Sequence, residues 1–563
     1  MKAFLPLLLT VPVFAAAPTT AIRVDQVGYL PHAPKVALVS ATTTAGDFTV
    51  RLAKNASVAF RGKLSPPVDD PDSGDRLQSA DFSALTAAGT YYLEIAGVGR
   101  SWNFAIAPDV DARAWYLAMR SYYGQRCGTA VDLGPEFPGY KHEACHLEGA
   151  YHPSSGKTGP RASKGGWHDA GDYGRYVVNS GISTGTLLWT WEMFGSRLRD
   201  VRLNIPESGN GTPDILNEIR WNLEWMLTMQ DDDGGVWHKQ TSDKFCGFIM
   251  PEKDSLVSYV VGTGQDPFKT SCATGDFAAV MAIAARVYKP FDAPFAAKTL
   301  AAARKAWTWV GEHPDVAFRN PPGVSTGEYG DGRCGDERLW AAAELFRTTG
   351  ESVYQRHFLD HYAAYHVRPT SPQSWADVSY LALWTYLLAG NHDAAAAAIR
   401  QESLDAAGRI LERTASHAYR ISLTSHDYIW GSSGVAANYG MQLLIANAIQ
   451  ANPRYLEAAL DNLHYLLGRN AFSLSFVTQL GANPVRHPHH RPSGAGTNPE
   501  PWPGLLSGGP NRGRQDPVMQ KLPADLPPAK MYLDDQGAYS ANEVAINWNA
   551  PLVFLLAGAL PEK

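Results

Sequence analysis

Residues 108–115, PDVDARAW, separate two kinds of sequence pattern. Ahead of them the chain alternates and turns often. KVALVSA (35–41), FTVRLA (48–53), TYYLEIA (90–96) and SWNFAIA (101–107) are short β-rich runs parted by Pro, Gly and Asp clusters. Such runs predict a small antiparallel sandwich over residues 18–107. Behind the join the apolar period turns helical, in about twelve stretches. TPDILNEIRWNLEWMLTMQ (212–230) is the clearest. Thr212 is placed to cap, Pro213 suits the first turn, and Ile215, Ile219, Leu223, Met226 and Leu227 form a stripe. DFAAVMAIAARVY (276–288) and SGVAANYGMQLLIANAIQ (433–450) are apolar on more than one face, so they should pack on both neighbours. Hairpin-linked helices over 108–563 suit a closed ring of helix pairs. An open solenoid fits the same pattern, but no fixed repeat supports it. The join lacks a Gly/Ser or Pro-rich spacer, so the sandwich should bury a flank against the helical body.

Composition bounds the function. The 563 residues are 45% hydrophobic and 18% charged, with a formal net charge of -6, an ordinary soluble composition with room for more than one domain. Mild acidity without a long Lys/Arg run argues against nucleic acid as a partner. The chain is rich in Trp and Tyr, rings that fill cores and also stack on sugar faces. MKAFLPLLLTVPVFAAAP (1–18) has one Lys, a short apolar run and an Ala-rich end, which reads as a secretory signal peptide over residues 1–17. It is too short to span a membrane comfortably. A secreted or periplasmic protein without a membrane partner is expected. Of the five cysteines an odd one must stay unpaired, and Cys246, Cys272 and Cys334 receive no role from the sequence.

The chemistry gathers in loops. GGWHDAGDYGRY (165–176) sets Asp169 and Asp172 three residues apart in a glycine-rich segment. Crowding raises the energy of the doubly charged state, which a structural loop avoids and a site that aims a water molecule exploits. Capping of turns is the plainer reading of either Asp alone. YLDDQGAYSANEVAINWNAPL (532–552) carries Asp534, Asp535 and Glu543 into a very apolar helix. A carboxyl beside Tyr539, Ile546 and Trp548 should be desolvated and stay protonated, as a general acid must. The alternative is a Glu stabilised by the helix dipole. A protonated acid on one loop and a water-holding base on another divide the labour as in inverting glycoside hydrolysis. FVTQLGANPVRHPHHRP (476–492) sets His487, His489, His490 and Arg491 in a Pro-broken loop. No regular ligand spacing supports a metal there, and His489 and Arg491 suit sugar hydroxyls better. Cys127, Cys145, His146 and His168 would make a complete tetrahedral set for structural zinc, with no open position for catalysis.

These segments, with RVDQVGYLP (23–31), resemble family 9 of the glycoside hydrolases, in the branch with an immunoglobulin-like domain ahead of the catalytic barrel. The resemblance runs over nearly the whole chain after residue 17. It implies an immunoglobulin-like β-sandwich followed by an (α/α)6 barrel, and an inverting mechanism. By it Asp172 is the general base, Asp169 the acid that helps hold its water, and Glu543 the general acid. Asp534 matches the acid ahead of Glu543. His489 and Arg491 match substrate-binding positions, and Trp548 is placed with them. The branch carries a Cys-Cys-His-His zinc site matching Cys127, Cys145, His146 and His168, and often binds calcium, for which Asp336, Glu337 and Asp377 are the candidates. No organic cofactor is implied.

The expected function is a secreted, monomeric endoglucanase cleaving β-1,4-glucan. Within the fold the alternative is an exo-acting β-glucosaminidase or cello-oligosaccharide glucosidase. A loop closing one end of the cleft would decide it, and the insertions at 127–165 and 240–270 are placed to do so. A non-catalytic carbohydrate binder is the alternative of another class, but it would have no need of Asp169, Asp172 and Glu543 together.

Overall fold

The computed structural model describes residues 17–40, 43 and 45–562. Apart from Ala17, the expected signal segment lies outside the described residues. Residues to 106 form two facing sheets. One orders Ile22–Arg23, Val36–Val39, Arg76–Asp81 and Val68–Asp69. The other orders Gly28–Tyr29, Phe104–Ile106, Gly89–Ile95, Asp47–Leu52 and Val58–Lys63, with Gly99–Arg100 paired to Gly89–Ile95. Only Gly28–Tyr29 and Phe104–Ile106 run parallel among these pairs. Between the sheets lie Tyr29, Ala37, Val39, Phe48, Leu93 and Phe104, all buried.

Val36–Val39 is buried at every position, unlike a strand with one wet face. Ala37 and Val39 point into the sandwich, while Val36 and Leu38 join Leu77 in the core of the helical body. The sandwich is therefore bonded broadside to the helices. Polar contacts complete the seam. Buried Asp25 meets His464 at 2.7 Å, and the Gln26 side chain bonds Ser473, Ala482 and Asn483.

The helical body contains twelve helices of ten residues or more. Six form the inner ring: α2 (Val177–Leu198), α4 (Ser271–Tyr288), α6 (Gly335–Thr349), α8 (Ser379–Leu388), α10 (Ser432–Ile449) and α12 (Ile546–Ala559). Each of α2, α4 and α6 packs on the next, α10 packs on α12, and α12 returns to α2. α4 and α12 are buried nearly all round, as two-sided packing demands. The other six are α1 (Ala112–Gly124), α3 (Asp214–Thr228), α5 (Ala293–Glu312), α7 (Ser352–His361), α9 (Ala394–Ser416) and α11 (Pro453–Leu466). α9 has the one-sided burial of an outer helix.

Two local readings change. α3 begins one residue later than expected, with Pro213 in the capping position, and Thr212 makes no side-chain cap. The insertions at 127–165 and 240–270 contribute strands to a five-stranded sheet, ordered Pro160–Ala162, Glu148–Tyr151, Ser258–Val261, Lys239–Thr241 and Arg175–Tyr176. Its last strand directly follows Asp172.

Candidate active site

A cavity of about 850 Å³ opens where the loops between inner helices converge. Asp169, Asp172, His489, Arg491, Glu543 and Trp548 all line it. The rings of Phe245, Tyr329, Trp375, Trp430 and Tyr539 also face it, surfaces of the kind that stack on sugars.

The WHDAGDY loop is held from beneath. The Asp169 N–H reaches the Gly174 carbonyl at 2.9 Å, and the Asp169 carbonyl accepts the Ile546 N–H at 2.9 Å. Gly171 lies against the His489 backbone so closely that a Cβ would stand 2.0 Å from that carbonyl oxygen. Arg491 locks the contact, donating its N–H (3.1 Å) and its guanidinium (2.8 Å) to the Gly171 carbonyl. Only glycine permits the Asp loop and the His/Arg loop to interlock here.

The two aspartates have different surroundings. Asp169 Oδ1 accepts the Asn179 amide at 2.5 Å, and Oδ2 accepts the Tyr329 hydroxyl at 2.7 Å. Asp172 Oδ2 takes the Gly174 N–H at 3.1 Å and the Tyr176 hydroxyl at 3.3 Å. No donor among the described residues reaches Asp172 Oδ1, although Asp172 lines the cavity. Burial, with the charge of Asp172, pushes Asp169 up to about 8. Both oxygens of Asp169 are thus engaged, while Asp172 keeps one free.

Glu543 is not inside the last helix. It follows a short turn, Tyr539–Asn542, and has extended dihedrals three residues before α12. Its carbonyl accepts the Gly508 N–H at 2.8 Å, and its backbone runs beside His489 as an isolated bridge. Burial, then the charges of Asp172 and Asp169, lift its carboxyl well above the ordinary range, against the pull of Arg491. The helix-dipole alternative therefore falls, since desolvation and like charge dominate.

His489 Nδ1 lies 2.7 Å from the Gln536 carbonyl, and burial lowers its pKa, so the neutral ring donates from Nδ1 and leaves Nε2 as an acceptor. Asp534, grouped with the catalytic acids from the sequence, is not among the cavity's walls. Its oxygens accept the Arg486 and His487 N–H groups at 2.8 Å each and the Asn542 amide at 3.0 Å. It ties the His/Arg loop to the turn ahead of Glu543. His490 is buried between Gln125 and Ser493, and His487 is exposed. Asn179, Tyr176 and Tyr329 were missed by sequence reasoning. Tyr176 could have been found at the end of the quoted motif; Asn179 and Tyr329 had no signal beyond the fold.

Cys127, Cys145, His146 and His168 present ligand atoms within 4.8 Å of one another. Cys127 Sγ lies 3.7 Å from His146 Nδ1, and Cys145 Sγ 3.8 Å from His168 Nε2. Ordinary zinc bond lengths give a tetrahedron edge of about 3.6 Å, so the four donors fit the ion. The other nitrogen of His146 meets the Asp254 carboxylate at 3.3 Å, the usual outer partner of a metal-bound imidazole. His168 and Asp169 are neighbours in sequence, so this cluster supports the catalytic loop directly.

The calcium candidates are more dispersed. Asp336 Oδ2 accepts the Val378 N–H at 2.8 Å, and Asp377 Oδ1 caps Ser379. Both oxygens of buried Glu337 have no partner. The three do not form one compact donor set among the described residues. Cys272 and Cys334, unassigned from the sequence, are joined by a disulfide between the starts of α4 and α6. Cys246 is a free thiol.

An aspartate with one open oxygen and a glutamate whose pKa is raised line the same ring-walled cleft, the arrangement that glycoside hydrolysis needs. Residues 112–556 match the model of glycosyl hydrolase family 9, and residues 17–100 that of the cellulase N-terminal ig-like domain. The chain belongs to glycosyl hydrolase family 9. It is 38% identical over 543 residues to endoglucanase D of Acetivibrio thermocellus, covering 95% of this chain and 83% of that protein. A xyloglucan-specific endo-beta-1,4-glucanase of Bacteroides ovatus is 35% identical over 572 residues, 97% of this chain and 94% of that one. The crystal structure of a zinc-binding triple mutant of a family 9 endoglucanase superposes with a TM-score of 0.89 at 36% identity, over 95% of this chain and all of that one. Among the described residues no helix is long and apolar enough to cross a membrane.

Proposed function

We propose that the protein is a secreted, monomeric endo-β-1,4-glucanase that hydrolyses its substrate with inversion. The observation that carries this is the division between Asp172 and Glu543 within one cavity. Asp172 Oδ1, without a protein donor, takes a proton from the attacking water. Asp169, fixed by Asn179 and Tyr329, orients that water from the other side. Glu543, held protonated, gives its proton to the departing sugar oxygen. His489 Nε2 and the Arg491 guanidinium bind hydroxyls beside the cleavage point, and Trp548 backs the sugar. Asp534 acts through the loops it joins. The names of the relatives support β-1,4-glucan as the substrate class.

Cys127, Cys145, His146 and His168 would hold a zinc ion with no open position, and the ion would supply folding energy rather than chemistry. Asp336, Glu337 and Asp377 are not drawn together as a ready donor set, so a calcium ion there would have to gather them, and the orphaned Glu337 oxygens are the observation that favours it. The exo-acting reading keeps one supporting observation: half-exposed Phe245, on the insertion at 240–270, stands at the cavity wall.

Glu543→Gln and Asp172→Asn should each lower turnover by roughly 10²–10⁴-fold with folding intact, since each removes a proton transfer. Proton NMR of the products of a β-linked glucan should show the α-anomer first. Early β-anomer would end the inverting assignment. Glucosamine released from chitosan oligomers, with carboxymethyl-cellulose untouched, would replace the endoglucanase by the exo-acting enzyme.

A further inference from the structure

Lys239 is fully buried and makes no ion pair at contact distance among the described residues; the charges of Asp172 and Glu328 reach it only from farther off. Burying an ammonium without a counter-charge is expensive, and a neutral side chain would fill the space at less cost. Its Nζ instead donates to one short segment: Asn320 Oδ1 at 2.7 Å, the Gly327 carbonyl at 2.7 Å, Thr326 Oγ1 at 3.1 Å and the Thr326 carbonyl at 3.4 Å. That segment is a wall of the cleft, since Asn320, Thr326, Gly327 and Glu328 all line the cavity. It ends at Tyr329, whose hydroxyl is the donor to Asp169 Oδ2.

Tyr329 needs an external restraint. Its φ is +46°, in the left-handed region that a side-chain-bearing residue adopts only when its surroundings hold it there. The restraint comes from the strand that pairs with the end of the catalytic motif. Lys239 pairs with Tyr176 in the five-stranded sheet, and its Nζ also lies 5.5 Å from the Tyr176 ring centroid. The Tyr176 ring packs on Tyr329 at 4.8 Å and donates its hydroxyl to Asp172. One buried amine thus touches the segment that delivers Tyr329 to Asp169 and the ring that donates to Asp172.

We propose that Lys239 is a positioning residue for hydrolysis: by clamping residues 320–327 it fixes the backbone from which Tyr329 reaches Asp169. This rests on the roles given above to Asp169 and Asp172. Lys239 touches no substrate; it acts through Tyr329.

The test is a double-mutant cycle with the full chain on a soluble β-glucan. Lys239→Met should lower kcat by about 10- to 100-fold, the loss expected of a misplaced catalytic group, with KM changed by about twofold or less. Tyr329→Phe should give a similar loss. The double variant should be no slower than Tyr329→Phe alone, because the clamp has nothing left to position. Losses that multiply, or a Lys239→Met enzyme with unchanged kcat, would overturn the proposal. If Lys239→Met fails to fold, Asn320→Ala combined with Thr326→Val removes two of the acceptors and enters the same cycle under the same criteria. A fully active Asp172→Asn enzyme would instead overturn the catalytic assignment, so the two failures are distinguishable.

Discussion

Two groups of buried acids in the helical body are treated differently. At the cleft, Asp169 receives an amide and a phenol, and Asp172 an N–H and a second phenol. Between the starts of α4 and α6, Asp276 and Glu337 are fully buried and all four of their carboxylate oxygens lack a partner. Asp336 beside them has the Val378 N–H. Burial raises the pKa of Asp276 and Glu337 well above the ordinary range, with further lift from Asp336 in both cases. Burial raises Asp169 too, but its two donors pull the other way. The cleft acids are oriented by their own protein. The second group is left to a proton or a cation.

The thiol–imidazole cluster carries that second treatment furthest, and breaking it should give the largest effect. Two sulfurs and two imidazoles are gathered with little else to satisfy them, and Arg175 lies nearby, fully buried. Against burial, hydrogen bonding with Cys145 and the charge of Arg175 pull the Cys127 thiol below its usual value. One zinc per chain is expected in protein purified without added metal. Cys145→Ser should lose the zinc and several kcal/mol of stability, because metal binding is folding energy here. Elemental analysis beside a melting curve decides it. Zinc-free protein that melts like the parent and remains active would remove the ion from the account.

The next test sets the two acid groups side by side through pH. A carboxyl whose folded pKa lies above its unfolded value of about 3.9 contributes stability that is fully present below that value and is lost as pH rises through the folded pKa. Asp169, at about 8, should therefore weaken the fold progressively between roughly pH 4 and 8. Glu337 should act over a wider range. In calcium-free buffer without chelator, so that the thiol–imidazole cluster keeps its metal, the melting temperature of the parent should fall from pH 5 to 8.5. Asp169→Asn should flatten that slope modestly and Glu337→Gln more, since only Asp169 has donors to its charged form. Equal slopes in all three proteins would mean that the two groups do not differ.

How far the sequence carried these contrasts depends on what holds each group. Asp169, Asp172 and Glu543 were legible because they sit in loops where acids crowd glycine and aromatic residues. The sandwich was legible from its alternation, and its docking followed from the short join; the continuous burial of Val36–Val39 is the physical form of that docking. Asp534 was grouped with the catalytic acids because it matches the signature acid ahead of Glu543, and its bonds run to backbone N–H groups 47 and 48 residues away, a tie no sequence pattern shows. The five-stranded sheet was not legible because Arg175, Lys239 and Gln240 are polar residues buried in it, and no period-two pattern announces such strands. Tyr329 is 160 residues from Asp169 and the Cys272–Cys334 pair 62 residues apart, separations that only tertiary packing brings to contact.

The smallest effect is also the sharpest for the second acid group, because a proton and a cation make opposite demands on Glu337. If protons neutralise the group, Glu337→Gln replaces a neutral acid by a neutral amide, and calcium should leave the melting temperatures of parent and variant alike unchanged. If a cation does so, calcium should stabilise the parent by about 2.7 kcal/mol at a hundredfold excess over its dissociation constant. The variant, with one charged ligand fewer, should respond less. In calcium-free buffer at pH 8 the order should reverse, with Glu337→Gln the more stable by a small margin, since it lacks a carboxylate pressed against Asp336 and Asp276. We expect this crossing of the two proteins on adding calcium. Each carboxylate Oδ left over at Asp336 and Asp377 after their N–H contacts is available to the ion, and the orphaned oxygens of Glu337 give it a reason to bind. A parent indifferent to calcium would assign the group to protons, and Asp336, Glu337 and Asp377 would then be structural acids only.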